Sequence, residues 1–250
     1  SAASDVYKRQ VENKGQWAMI FNESVKNDSN PVDKTEKFMF DGERLIQHII
    51  KQRYFEEEIS NEVNLSYSDN QVTVTTDYLT LVYTLNSEGY ASQCVYSLSS
   101  QNRIYQFSYS AEGYLTGIVE NIDNTEYSST SLTYENGDIT SISSKMNGLE
   151  NKFIYEPGEE SSTYHLPCLG LLEIHPLTFH IEALYAGLLG KDPRHFTIRS
   201  CPAGSNDEKT IYSYEFDKKG NPSRMICQTT YAGGQASYYP YTRNISISFE

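Results

Sequence analysis

Positive charge is the first thing this sequence is short of. Its 250 residues carry 20 Lys and Arg against 33 Asp and Glu, a formal net charge of −13. Binding nucleic acid depends on neutralising phosphates with clustered cations. No basic cluster stands outside the first ten residues, so nucleic acid is excluded as a partner. Long apolar runs are missing too. None approaches the roughly 18 residues that a membrane helix needs, and the longest helix-like segment, Pro176 to Leu189, is interrupted by His180 and Glu182.

Cysteine is sparse. Cys94, Cys168, Cys201 and Cys227 are separated by 74, 33 and 26 residues, spacings that match no zinc motif. Cys168 and Cys201 flank the one helical segment, so a disulfide closing that loop is one reading and separate buried thiols are the other. Catalytic signatures are equally thin. There is no G-x-S-x-G elbow, and His175 and His180 lie five apart, not four, with Glu182 outside them. That spacing does not suit a metalloprotease helix; a cap for one and a surface position for the other fit better. His165 with Cys168 is the nearest thing to a nucleophile and base, but nothing marks the thiol as activated. Glu56-Glu57-Glu58 and Glu159-Glu160 read as solvated charge, because adjacent strand residues point to opposite faces. Asp217-Lys218-Lys219-Gly220-Asn221 is too basic and too short for a calcium loop. The chain is therefore expected to be non-catalytic, with no metal and no cofactor.

What is abundant is tyrosine: 21 Tyr against 10 Phe and 1 Trp. Tyr suits a pleated, half-buried surface, its ring packed and its hydroxyl wet. Ser, Thr and Asn fill alternate positions, as in strands with one solvated face. A unit of aromatic strand, Gly-containing turn and second strand recurs. Phe38–Ile46, Tyr83–Tyr90, Tyr109–Leu115, Tyr134–Ile139 and Tyr214–Pro222 are its copies. The turn glycines Gly89, Gly113 and Gly137 are spaced by 24 each time. That period accommodates two strands of about eight residues and two turns. Asp41-Gly42 and Asn136-Gly137 are two-residue type I′ signals. An isolated hairpin is marginal in water, so each unit must lean on its neighbours.

One segment breaks the pattern. Leu177, Ile181, Leu184, Tyr185 and Leu188 recur at helical spacing, with Gly190 as the expected C-terminal cap and Pro193 beyond it. The sequence thus predicts a mostly β fold: an antiparallel meander of ten to fourteen strands forming an open barrel or strongly curved sheet, with a helical insertion near residues 167–200. A two-sheet sandwich is the alternative. Ser1–Gln10, SAASDVYKRQ, matches the translation of a transposon-based sequencing adapter, which belongs outside the fold. Residues 11–250 are expected to form a single β domain.

The units around Gly89, Gly113 and Gly137 resemble the tyrosine-aspartate (YD) repeats of Rhs-type surface proteins. Together with Tyr185-Ala186-Gly187-Leu188-Leu189-Gly190-Lys191 they look like an exported lipoprotein family of Gram-negative gut anaerobes, a domain of unknown function. The resemblance covers most of Phe38 to Glu250 and departs from true YD repeats in its Glu-Gly, Asn-Gly and Lys-Gly turns. It implies export to the periplasm or outer-membrane surface, with membrane contact only through a lipid anchor upstream of Val11.

Taken with the missing catalytic motifs, the expected function is a non-catalytic extracytoplasmic binding protein for a glycan or protein ligand. The alternatives are a carrier of lipid or another apolar ligand with a helical lid, and a hydrolase of unrecognised type. The expected ligand contacts are Tyr238, Tyr239 and Tyr241, three rings beside Pro240 in a loop after Gly233-Gly234.

Overall fold

The structure, a computed structural model, describes residues 15–26, 32–54, 57–98, 101–161, 174–205, 207–230 and 241–250. Sixteen strands run in chain order: β1 Gln16–Lys26, β2 Val32–Asp41, β3 Arg44–Tyr54, β4 Glu57–Ser68, β5 Gln71–Thr75, β6 Thr80–Leu85, β7 Ala91–Leu98, β8 Gln101–Tyr109, β9 Leu115–Ile122, β10 Thr125–Glu135, β11 Asp138–Met146, β12 Leu149–Ser161, β13 His195–Pro202, β14 Lys209–Phe216, β15 Pro222–Thr230 and β16 Tyr241–Phe249. Each is bonded to its sequence neighbours, and β1 pairs with β16 from Met19↔Phe249 to Lys26↔Thr242. The order closes on itself as a barrel, so neither end strand is left as an edge open to aggregation. The meander and the helical insertion stand as expected; the strand count is higher and the barrel is closed.

Contacts divide the chain into two compact units, the residues up to Val63 with Ile198–Glu250, and Asn64–Thr197. In the first, aromatic rings on β1 and β2 pack in the core with Met19, Leu45, Met225 and Ile245. Trp17 stacks on Phe40 at 4.3 Å and Phe38 stacks on the His48 imidazole at 4.0 Å. Arg243 of β16 meets the Glu23 carboxylate of β1 through two nitrogens, at 2.6 and 3.2 Å. In the second, alternation sends Val72, Val74, Leu81, Tyr83, Tyr105, Phe107 and Ile118 to the buried face. Asn64, Ser66, Gln106, Ser108, Ser131 and Thr133 face outward and are exposed.

Turn chemistry fixes the hairpins. Asn136-Gly137 has φ of 52° and 85°, the type I′ signature, and Asp123-Asn124 and Asn147-Gly148 also have positive φ at both residues. The first hairpin departs from expectation: its loop is Gly42-Glu43, and only the glycine has positive φ, so Asp41 ends β2 instead of entering the turn. The turns at Gly89, Gly113 and Gly220 share one design. In each, the N–H of the glycine donates to the carbonyl three residues back, that of Asn86, Ser110 or Asp217. The side chain of that residue accepts a further N–H, at Tyr90, Tyr114 and Asn221 respectively.

The insertion is shorter than its apolar periodicity suggests. A 3-10 turn, Leu177–His180, leads into α1, Ile181–Tyr185. The cap is Gly187, not Gly190. Gly187 N–H donates to Leu184 C=O and Leu188 N–H to Ala183 C=O, the paired bonds of a Schellman motif, with Gly187 at φ 70°. The helix ends early because this glycine can adopt the left-handed backbone at no steric cost. Gly187→Ala should therefore cost about 1 kcal/mol, lowering the melting temperature by about 2–4 °C. An unchanged melting curve would mean that the helix end is set by something else.

Candidate functional site

Two places in the Asn64–Thr197 unit gather chemistry, one buried and one open. The buried one begins at Glu120 on β9, whose carboxylate is fully shielded. An isolated buried charge is prohibitively costly, and here both oxygens have polar partners. Oε1 accepts from Tyr105 Oη at 3.1 Å, and Arg103 Nε stands 3.3 Å from it. Oε2 accepts from Ser128 Oγ at 2.7 Å and lies 3.0 Å from His175 Nε2. Burial alone would raise this carboxyl; the bonds from His175 and Ser128 and the charges of His175 and Arg103 outweigh it and hold it below the usual range. His175 enters from the insertion, while the other partners come from strands. Glu120 therefore ties the inserted segment to the wall.

Behind it, His180 is completely buried among the rings of Tyr83, Tyr105, Phe107 and Phe179, with centroids 4.4 to 5.7 Å away. Its Nδ1 is 2.7 Å from Tyr83 Oη, and its Nε2 has no hydrogen-bond partner among the described residues. Burial drives its pKa down to about 3, so the imidazole is neutral. The expectation that this residue caps or decorates the surface is corrected: the helix turns it inward. Cys94 adjoins the same Tyr83 hydroxyl, and burial pushes its thiol up to about 12, which leaves it an unreactive hydrophobe at neutral pH. Cys94, Cys201 and Cys227 are free, and among the described residues no group of three or more His, Cys, Asp or Glu could hold a metal ion.

The open place is a cleft of about 690 Å³ at the turn end of β8–β11, lined by Ser110, Glu112, Tyr114, Thr116, Leu132, Thr133, Tyr134, Asn136, Gly137, Lys191 and Arg194. That volume falls within the range of small-ligand sites. Tyr114 and Tyr134 pack ring against ring at 4.9 Å. Lys191 Nζ lies 6.0 Å from the Tyr114 centroid, and Arg194 Nη1 donates to Asn136 C=O at 3.3 Å. Beneath it, between Leu115, Leu132 and the insertion's Leu177, Leu184 and Leu189, the remaining gap is about 20 Å³, too small for anything beyond a water.

Tyr238 and Tyr239, and the pairing of His165 with Cys168, lie outside the described residues. Tyr241 opens β16 opposite Thr229, and its side chain lies outside them as well. Sequence reasoning passed over Glu120, although Ile118-Val119-Glu120-Asn121-Ile122 carried a signal. Alternation puts Glu120 on the same face as two isoleucines, where an unpartnered carboxylate would not be tolerated. It also passed over Lys191 and Arg194, which belong to the segment after the helix and to no hairpin.

Residues 38–224 match the family described as a domain of unknown function (DUF4595) with porin-like fold. The chain belongs to this family. A porin-like protein from Bacteroides uniformis has the same architecture, with 26% identity and a TM-score of 0.83 over 93% of this chain and 96% of that one. A porin-like protein from Bacteroides vulgatus, 12% identical, aligns at a TM-score of 0.55 over 92% of this chain and 97% of that one, a likeness of fold alone. No curated protein matches. Family and relatives agree with an extracytoplasmic location in Gram-negative bacteria.

The buried knot makes a pH prediction. His180 has its folded pKa below the unfolded value near 6.5, so the unfolded chain takes up the proton first and stability falls as pH drops from about 6.5 toward 3. Glu120, also held low, adds to the loss once pH falls below its unfolded value near 4.5. Urea midpoints measured across pH 3–7 should decline toward acid, and His180→Gln should flatten the slope between pH 6.5 and 4.5. An equally steep slope in the variant would rule out His180 as the group that titrates.

Proposed function

We propose that this protein is a non-catalytic extracytoplasmic binding protein whose ligand is a glycan held in the tyrosine-lined cleft at the turn end of β8–β11. The tilted ring pair Tyr114–Tyr134, flanked by the hydroxyls of Ser110, Thr116 and Thr133, is the observation that carries this reading. The flat faces of a pyranose ring are C–H surfaces that lie well on aromatic rings, and its edge hydroxyls seek the polar groups around them. Tyr is suited to such a place because it offers a large rigid ring at low entropic cost and a hydroxyl at the tip.

A transport pore is poorly served by these strands. A membrane barrel needs an outward apolar band with aromatic girdles and a polar interior. Among the described residues of the Asn64–Thr197 unit, outward positions such as Asn64, Ser66, Gln106, Ser108, Ser131 and Thr133 are polar, with Leu149 and Ile154 as exceptions, while Phe, Tyr, Leu, Ile and Val fill most of the buried face. Such a wall suits water outside and a filled interior. The apolar-ligand carrier fares no better within the Asn64–Thr197 unit, where the gap beside the insertion is about 20 Å³. The hydrolase reading gains nothing from a Cys94 thiol pushed up to about 12. Export to the periplasm or outer-membrane surface through a lipid anchor is part of the same proposal and rests on the family resemblance.

The test is binding of the purified chain to a panel of host and dietary polysaccharides, by thermal shift and affinity electrophoresis. Tyr114→Ala and Tyr134→Ala should each weaken a saturable hit by about threefold to tenfold, the range expected for losing one aromatic stacking partner. Loss in Tyr239→Ala and Tyr241→Ala instead would move the site to the 238–241 segment. No saturable hit on the panel would sink the glycan reading and turn attention to a protein ligand.

A further inference from the structure

The cleft owes its floor to a strap of chain that crosses the hairpin ends. After the helix, residues 188–194 run across the ends of three hairpins and make a backbone bond to each. Ala91 N–H donates to Leu188 C=O at 2.7 Å, Lys191 N–H to Gly113 C=O at 2.9 Å, and Arg194 N–H to Gly137 C=O at 3.0 Å. The crossing points are therefore three residues apart on the strap and one hairpin apart on the sheet. Neighbouring hairpin ends are two strand spacings, about 9.6 Å, apart, and the strap meets them at Leu188, Lys191 and Arg194, with Gly190 between the first two in the left-handed backbone at φ 86°.

Two of those three residues are cationic, and each lies over a turn glycine in company with a tyrosine. A Cβ placed on Gly113 would meet the Tyr90 ring at 3.3 Å and Lys191 Cε at 3.5 Å. One placed on Gly137 would strike Arg194 Cδ at 2.5 Å and Tyr114 Oη at 2.7 Å. The same arrangement is thus built twice: a turn glycine, a tyrosine one repeat upstream, and a cation from the strap. Ring and cation are brought together because the glycine leaves room for both.

From this we infer that the cleft selects acidic glycans, with Lys191 and Arg194 pairing to carboxylate or sulfate groups on alternate sugars while Tyr114 and Tyr134 take the ring faces; this rests on the glycan reading above. The charge of the whole molecule, −13, works against polyanions in general. Lys191 and Arg194, both lining the cleft, provide local attraction that the rest of the surface withholds. Glu112 lines the same cleft and opposes them, its carboxyl held ionised by its bond to Ser110 and helped by Lys191. The site is therefore tuned to spaced single charges on a sugar chain rather than to a dense run of anions.

Binding is compared for polygalacturonate, chondroitin sulfate, neutral dextran and polyglutamate, at 20 and 200 mM salt. The acidic saccharides should bind more tightly than dextran and weaken with salt. Lys191→Gln and Arg194→Gln should each weaken them by about twofold to fivefold, the range for one exposed ion pair, and more than they weaken any dextran binding. Glu112→Gln should tighten them, a gain that a misfolded variant cannot mimic. Equal binding of dextran and the acidic saccharides, unmoved by Lys191→Gln, would overturn the inference and leave the glycan reading standing. Polyglutamate binding as tight as the saccharides would also overturn it, as mere anion capture. No binding of any saccharide would overturn both.

Discussion

The fixed distance between hydrogen-bonded strands governs this molecule. A ladder spaces its strands by about 4.8 Å whatever their sequence, so a hairpin repeat places its turns at a regular interval along the barrel end. The 24-residue period of Gly89, Gly113 and Gly137 is the sequence form of that interval. Everything carried at that end inherits it: the tyrosines after Gly89 and Gly113, the carbonyls offered by Gly113 and Gly137, and the strap that answers them.

The interior of the Asn64–Thr197 unit solves a different problem. A barrel of many strands leaves space that wall side chains alone do not fill. Here the insertion enters that space with Leu177, Phe179, His180 and Tyr185, and Phe179 and His180 meet wall residues ring on ring. Nonpolar packing has no strong preference for one orientation. Glu120 supplies it: the carboxylate accepts bonds of fixed direction from Tyr105 and Ser128 and lies beside His175, at a position where leaving it unpaired would be very costly. Apolar burial fills the space, and the polar knot specifies how.

Much of this was legible in the residues. Alternating Tyr105, Phe107 and Tyr109, the Asn-Gly turn and the glycine period together specify an antiparallel meander, and the apolar spacing from Leu177 to Leu188 marks the insertion. What the sequence withheld has a physical pattern. Closure depends on β1 meeting β16 across more than 200 residues, and nothing local records that pairing. The helix cap was misplaced because Gly187 and Gly190 both have positive φ, at 70° and 86°, and periodicity cannot choose between two suitable glycines. The cleft was invisible because its cations and its tyrosines come from segments 50 or more residues apart. The Tyr238, Tyr239 and Tyr241 cluster drew attention as a contiguous run, whereas Tyr114 and Tyr134 become neighbours only once β9 and β10 are paired.

The strap that crosses the hairpins also constrains how such a protein can grow. Duplicating one hairpin adds about 24 residues to the wall and one more turn to the row, and the strap reaches it only if chain is inserted there as well. A relative with an extra repeat should therefore carry a compensating insertion far downstream, where no alignment of the repeats themselves would look for it.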